Sequence, residues 1–266
     1  MATESSEGSR PAIVVTGASS GIGQAIARVA AREGSFLLLV GRSRPALDGL
    51  VAELAVGGAH AAALPLDLLA PGAIDAIDAA LSARGLYCDI LVNSAGFGLF
   101  GPAARVSRDE QLALLDLNIR AVTELTLRFL PGMLARGRGG VLNLGSLTGY
   151  ATGPNMAVYY ASKAYVNSFS AALAAEVAGS GVTVTCLAPG VVRTAFFDRC
   201  SVGQTRLMKL MPRANAADTA EAGWRAFKAG KRIVVPRWID RFSVLVCRLL
   251  PASVIARFVA ALQRPR

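Results

Sequence analysis

Two groups of residues in this sequence carry chemistry by their type and spacing. Tyr159 and Lys163, in the run Tyr-Tyr-Ala-Ser-Lys, stand four residues apart, which places both on one face of a helix. A phenol ordinarily loses its proton near pH ~10, and a cation held beside it stabilises the phenolate. The pair therefore suits acid–base work at neutral pH, with Tyr160, three residues from Lys163, as the competing phenol. The second group is the octet Thr16-Gly-Ala-Ser-Ser-Gly-Ile-Gly23. Its glycines permit a tight turn and close backbone approach, and a helix opening there offers unpaired N–H groups to a pyrophosphate. Gly17, Ser19, Ser20, Gly21, Ile22 and Gly23 are the candidate contacts to a dinucleotide.

The same octet contains Gly17-x-Ser19-x-Gly21, the form of a hydrolase nucleophile elbow with Ser19 as nucleophile. That chemistry needs an acid and then a histidine later in the chain, and the sequence holds one histidine, His60, in a glycine-rich turn. The hydrolase reading is the weaker one. A single histidine also excludes zinc sites built on several, and no metal is expected.

These residues need elements to hold them. Short, uniformly apolar runs at Ala12–Thr16, Phe36–Val40, Ala61–Leu66, Ile90–Asn93, Gly140–Leu144 and Thr183–Leu187 read as strands, with one more at Ile233–Val235. Helices are expected over Gln24–Glu33, Pro45–Leu54, Ala73–Ala83, Asp109–Arg128 and Val158–Val177. Strands apolar on both sides that alternate with helices belong to a parallel sheet covered on both faces. The expected fold is α/β, a single doubly wound domain of the Rossmann type over 11–236, behind a disordered leader over 1–10. Ala188–Asn215 is irregular and long enough for a functional loop.

Arg42 follows the second strand, where the adenosine ribose of a bound dinucleotide lies. No acid occurs between Leu37 and Leu47, so the position suits the 2′-phosphate of NADP rather than the 2′-hydroxyl of NAD.

Taken together, Thr16-Gly-x-x-x-Gly-x-Gly23, Asn93-Ser94-Ala95-Gly96, Asn118, Ser146, Tyr159-x-x-x-Lys163 and Pro189-Gly190 resemble, in order and spacing, the short-chain dehydrogenase/reductase family. The likeness covers about residues 12–195. It implies a reversible hydride transfer between a nicotinamide, NADP(H) by the Arg42 argument, and a carbonyl or alcohol, with Tyr159 as proton donor and Ser146 polarising the substrate oxygen. By the same resemblance Lys163 tunes Tyr159 and holds the nicotinamide ribose, while Asn118 supports a proton-relay water. Asp67 falls near the adenine, Asn93, Ala95 and Gly96 near the middle of the cofactor, and Pro189, Gly190, Val192 and Thr194 on its nicotinamide side. Ser146, Phe97, Tyr150, Met156, Phe196 and Phe197 border the substrate, an apolar set that suits a hydrophobic carbonyl compound. The chain departs from the family in Ser94, where Asn is frequent, and in Ser20, where a basic residue would assist NADP; Arg44 is a possible helper to Arg42. A homodimer or homotetramer is implied. The rival is a family member that binds NADP as a scaffold or sensor without turnover.

The chain has 266 residues, 53% of them hydrophobic, and a formal charge of +10. From Lys231 to Arg266 eight basic residues face Asp240 alone, a net of +7 that leaves about +3 for the rest, so the charge is local. No zinc-finger spacing, basic zipper or aromatic RNA-binding signature accompanies it, and nucleic acid is not an expected partner. The scattered cysteines and a polar start without an apolar core suggest a cytoplasmic setting. Residues 237–266 form a basic amphipathic extension, a helix over Arg237–Leu250 stopped before Pro251 and a second apolar segment over Ala252–Leu262. Packing on its own domain or on a second subunit is the preferred reading of that helix, and weak peripheral membrane contact with arginines at the headgroups is the sharper one.

Overall fold

The computed structural model describes residues 9–194, 196, 200 and 211–263. Phe197 and nearly all of the expected leader lie outside the described residues.

The apolar runs become strands β1 (Arg10–Thr16), β2 (Phe36–Gly41), β3 (Ala61–Pro65), β4 (Leu86–Asn93), β5 (Gly140–Leu144), β6 (Thr183–Leu187) and β7 (Ile233–Val234). They form one seven-stranded sheet in the order β3-β2-β1-β4-β5-β6-β7, every neighbouring pair parallel. Side chains alternate across it, so each strand feeds two cores. Ile13, Val15, Leu37, Leu39, Val92 and Leu142 pack under helices α1 (Gly21–Ala30), α2 (Arg44–Val56) and α7 (Ala216–Lys228). Val14, Leu38, Val40, Leu91, Val141 and Val184 face the other way, onto α3 (Ala73–Ser82), α5 (Val122–Arg136) and α6 (Ala157–Glu176). Trimming a leucine to alanine in such a core costs about 2–5 kcal/mol, and burial on both faces is why these strands read as unbroken apolar runs.

Four differences from the sequence expectation have physical causes. Arg10 belongs to β1 rather than to a leader, its N–H donating to Gly85 O at 2.9 Å. α1 starts at Gly21, inside the glycine turn, instead of at Gln24. The helix expected over Asp109–Arg128 is α4 (Arg108–Leu115), a π-helical turn over Asp116–Ala121, and α5, which runs through Pro131 to Arg136. Pro131 removes one helical N–H, and its lost acceptor sits at Leu127, whose side chain is on the exposed side of the helix. Helix α7 falls in a stretch given no element by the sequence reading. It is capped by Asn215, which accepts from Ala217 N at 2.8 Å, and tied down where Trp224 and Lys228 both donate to Glu33.

The C-terminal extension forms α8 (Trp238–Leu249) and α9 (Ala252–Leu262), separated at Pro251. It packs on its own domain. The buried Asp240 carboxylate accepts from Arg237 at 2.7 and 2.8 Å and from Gly190 N at 3.3 Å, pinning α8 to the loop after β6.

Candidate active site

The strand order reverses between β1 and β4, and in a parallel sheet the crevice beyond the carboxyl ends at such a point is open to a ligand. Thr16 ends β1 there and fixes the two lips together. Its hydroxyl donates to Val92 O at 3.2 Å and accepts from Ser94 N and Ala95 N at 3.1 and 3.2 Å. Gly17 has φ +67°, and a Cβ on it would lie 2.8 Å from Ala95 N. A Cβ on Gly23 would lie 2.5 Å from Gly17 O, so side chains are excluded from both places and the backbone stays bare. Ser20, at the start of α1, makes no capping bond with its side chain, which leaves the first N–H groups of the helix turned outward. This bare cradle at a helix start fits a dinucleotide pyrophosphate.

The crevice opens into a cavity of about 740 Å³. Gly17, Ser19, Ser20, Gly21, Ile22, Arg42, Asp67, Ala95 and Gly96 line one end, and Pro189, Gly190, Val192 and Thr194 come from the loop after β6. Ser146, Tyr159 and Lys163 line it between these groups, with Phe97, Met156 and Phe196 beside them. His60, by contrast, precedes β3 at the opposite end of the sheet from Ser19, so no base serves a nucleophile elbow.

Ser146 follows β5, and its oxygen accepts from Thr148 N at 3.1 Å and from Thr148 Oγ1 at 2.8 Å. With both lone pairs occupied, its own proton is left to donate, and the Tyr159 oxygen beside it is the acceptor at hand. Tyr159 and Lys163 lie on α6 with Asn167, at successive four-residue steps on one face. The Asn167 amide clamps the Ser146 backbone, accepting from its N–H at 3.3 Å and donating to its carbonyl at 3.0 Å.

Burial pushes the Tyr159 phenol above its ordinary range, while the Ser146 and Thr148 hydroxyls beside it pull the other way. This reverses the expected lowering by a lysine. Lys163 Nζ is directed to Leu144 O at 2.7 Å, and burial lowers its own pKa to about 8. Tyr159 is therefore a protonated donor at neutral pH. Because Lys163 titrates near 8 when folded and at 10.5 ordinarily, the unfolded chain holds more protons between those values, and this residue makes stability rise with pH across that window. Below about 8 both states are charged and the burial penalty is complete. Lys163→Met is expected to raise stability at pH 7 and to flatten the wild-type slope between pH 8 and 10, read by chemical unfolding at each pH.

Several expected site residues stand behind the wall instead of on it. Asn118, in the π-helical turn, accepts from Phe97 N and donates to Phe97 O and Ser162 Oγ, so its amide anchors the Phe97 loop to α6. Asn93 is buried beneath the crevice and donates to Thr126 Oγ1 at 3.1 Å and Asn143 Oδ1 at 2.9 Å. Tyr150 lies under the Arg248 guanidinium, 5.3 Å from its ring centre, and holds α8 rather than lining the cavity. Arg44 opens α2 and is likewise absent from the wall.

Other residues at the site escaped the sequence reading. Thr148 and Asn167 hold Ser146 in place by hydrogen bonds; the polar, buried four-residue repeat on α6 was the available signal for Asn167. Phe242, Val246 and Cys247 from α8, and Ile255, Phe258, Val259 and Leu262 from α9, roof the cavity. Their sequence reads only as an amphipathic tail.

Comparison with known proteins agrees with this geometry. A family model described as short chain dehydrogenase matches residues 11–203. The NADP-dependent 3-hydroxy acid dehydrogenase YdfG of Salmonella typhimurium is 36% identical over 184 residues, covering 68% of this chain and 72% of that protein. The oxidoreductase UcpA of Escherichia coli is 32% identical over 220 residues, covering 79% and 83%. A short-chain dehydrogenase from Sphingobium yanoikuyae, solved in complex with NADPH, superposes with a TM-score of 0.79 at 31% identity, over 89% of this chain and 92% of that one.

Proposed function

The chain belongs to the short-chain dehydrogenase family and is an oxidoreductase, and on that premise we propose that it is NADP(H)-dependent and interconverts an apolar carbonyl compound and its alcohol. The observation that carries this is the meeting of a side-chain-free glycine cradle, Arg42 and the Ser146–Tyr159–Lys163 group in one cavity whose remaining wall is mostly apolar. When bound, the cofactor supplies a hydride.

The chain's own residues do the rest. Gly17, Gly21 and Gly23 would admit the pyrophosphate, Arg42 would pair with the 2′-phosphate, and Lys163 would hold the nicotinamide ribose. Ser146, its lone pairs filled by Thr148, points its proton at the carbonyl oxygen, and Tyr159 donates the proton that the developing alkoxide requires. Asn118 acts at one remove, by fixing Phe97. The presence of all three reacting side chains favours turnover over a purely nucleotide-sensing role.

The relative named for 3-hydroxy acids suggests a second substrate class. A carboxylate needs a cation, and among the described residues the wall carries only Arg42, at the cofactor end, and Lys163, bonded to Leu144 O. The apolar class is the better match. We further read the protein as a cytoplasmic homodimer or homotetramer with peripheral membrane contact through α8 and α9. Exposed Leu127 and Leu134 on α5 and Tyr165 on α6 offer an apolar surface for a second copy.

The cofactor assignment is tested by titrating the protein with NADPH and NADH and following nucleotide fluorescence. Arg42→Ala is expected to weaken NADPH by about tenfold or more, the worth of a charge-assisted hydrogen bond, and to leave NADH unchanged. An equal effect on both nucleotides, or tighter NADH binding by the wild type, would contradict it.

A further inference from the structure

Helices α8 and α9 have two apolar sides, of which one is uncovered. Ser243, Val246 and Cys247 of α8 face the cavity and Val244 is buried. On another side of α8, Trp238, Phe242, Leu245 and Leu249 fall within about 60° of each other at ~100° per residue, and these four are 52–77% exposed. Val254 and Phe258 extend the exposed surface on α9. Single exposed apolar residues are ordinary, but a contiguous group of this kind marks a contact surface.

Charge selects the occupant. The only acid on these two helices, Asp240, is buried against Arg237, while Arg241, Arg248 and Arg257 are exposed. Aromatic and aliphatic side chains rimmed by arginines with no exposed carboxylate complement an anionic bilayer surface. A second copy meeting the same face about a two-fold axis would bring these arginines together with no acid to pair them. No described helix is long and apolar enough to cross a membrane, so the helices would lie on the surface. Phe242 and Phe258 belong both to this exposed face and to the cavity wall, so the two are continuous.

We propose that the α8–α9 face docks on an anionic phospholipid bilayer and that a carbonyl substrate dissolved in that bilayer enters the cavity past Phe242 and Phe258. The docking stands independently; the identity of what enters rests on the proposed reduction of an apolar carbonyl compound.

The test uses the full chain and sedimentation with vesicles of phosphatidylcholine alone or mixed with phosphatidylglycerol. Wild type should bind the mixed vesicles at least about tenfold better, as expected for several arginines near an anionic surface. Trp238→Ser/Leu245→Ser/Leu249→Ser, none of which lines the cavity, should abolish binding and leave NADPH affinity unchanged; Arg257→Glu should weaken it. Wild type that stays in solution with both vesicles overturns the docking, as does undiminished binding by the triple variant. A triple variant that instead dissociates a wild-type oligomer would give the face to a second copy. For entry, the triple variant should keep its turnover of a soluble ketone and lose about tenfold or more on a long-chain ketone held in mixed vesicles. Equal turnover of both ketones relative to wild type overturns entry from the bilayer. Failure of wild type on the soluble ketone would instead strike the proposed carbonyl reduction, and vesicle binding would still decide the docking.

Discussion

Tyr159→Phe is expected to lower carbonyl turnover by about 10³-fold or more while NADPH binds as before, the scale of a lost general acid. The substitution deletes one oxygen from a ring held by Phe196, whose centre lies 5.5 Å away, so packing survives. What goes is the proton source. Burial keeps that proton on the phenol at neutral pH, outweighing the Ser146 and Thr148 hydroxyls beside it, which favour its loss. Tyr160→Phe is the control. Its ring is pressed against Gly153, where an added Cβ would come within 2.4 Å, so Tyr160 packs the loop before α6 and its loss should be mild in turnover. Equal losses in the two variants would show that the proton comes from elsewhere.

Gly23→Val is expected to weaken NADPH by at least about a hundredfold. A Cβ there would meet Gly17 O at 2.5 Å, Gly17 C at 2.9 Å and Ser94 Oγ at 2.9 Å. Two of those neighbours are backbone and cannot swing away, so α1 must retreat from the turn and carry its N–H groups off the pyrophosphate. Overpacking of this kind also costs about 1–3 kcal/mol of stability. Circular dichroism melting separates the two effects. A variant that still melts cooperatively but no longer quenches or enhances NADPH fluorescence supports the cradle, whereas a folded variant with wild-type affinity contradicts it.

The fold was legible because the central strands are buried on both sides. Leu37–Val40 and Val141–Leu144 can be little else, and the glycine turn after β1 identifies the crevice. The Tyr159–Lys163 pair was legible for a related reason, since the two share one helix and their spacing is local. What stayed hidden depends on contacts far apart in sequence. Asn118 and Asn93 are expected at the relay water and the cofactor, yet only the fold shows that the Asn118 amide bonds Phe97 and Ser162 and that the Asn93 amide nitrogen donates to Thr126 and Asn143. Tyr150 looks like a substrate contact by position and is instead covered by Arg248, which arrives from the tail. The tail itself reads as one amphipathic stripe, but α8 is apolar on two sides, one roofing the cavity and one exposed. Helix α7 was passed over because its apolar residues are spaced among charged ones and it is fixed by Glu33 from the other end of the chain. The direction of the Tyr159 shift also eluded local reasoning, because desolvation by the surrounding fold outweighs any neighbour that the sequence can place.

The proposed reaction is the reduction of an apolar carbonyl compound by NADPH in this cavity, with Tyr159 supplying the proton. Its most direct test is the loss of NADPH absorbance by purified protein offered bulky apolar ketones, phosphorylated sugars and 3-oxo acids in parallel, with Tyr159→Phe alongside. Consumption of NADPH with the apolar ketones, silent in Tyr159→Phe, is the predicted result. Faster consumption with the sugars or the oxo acids, or undiminished turnover by Tyr159→Phe, would contradict the account.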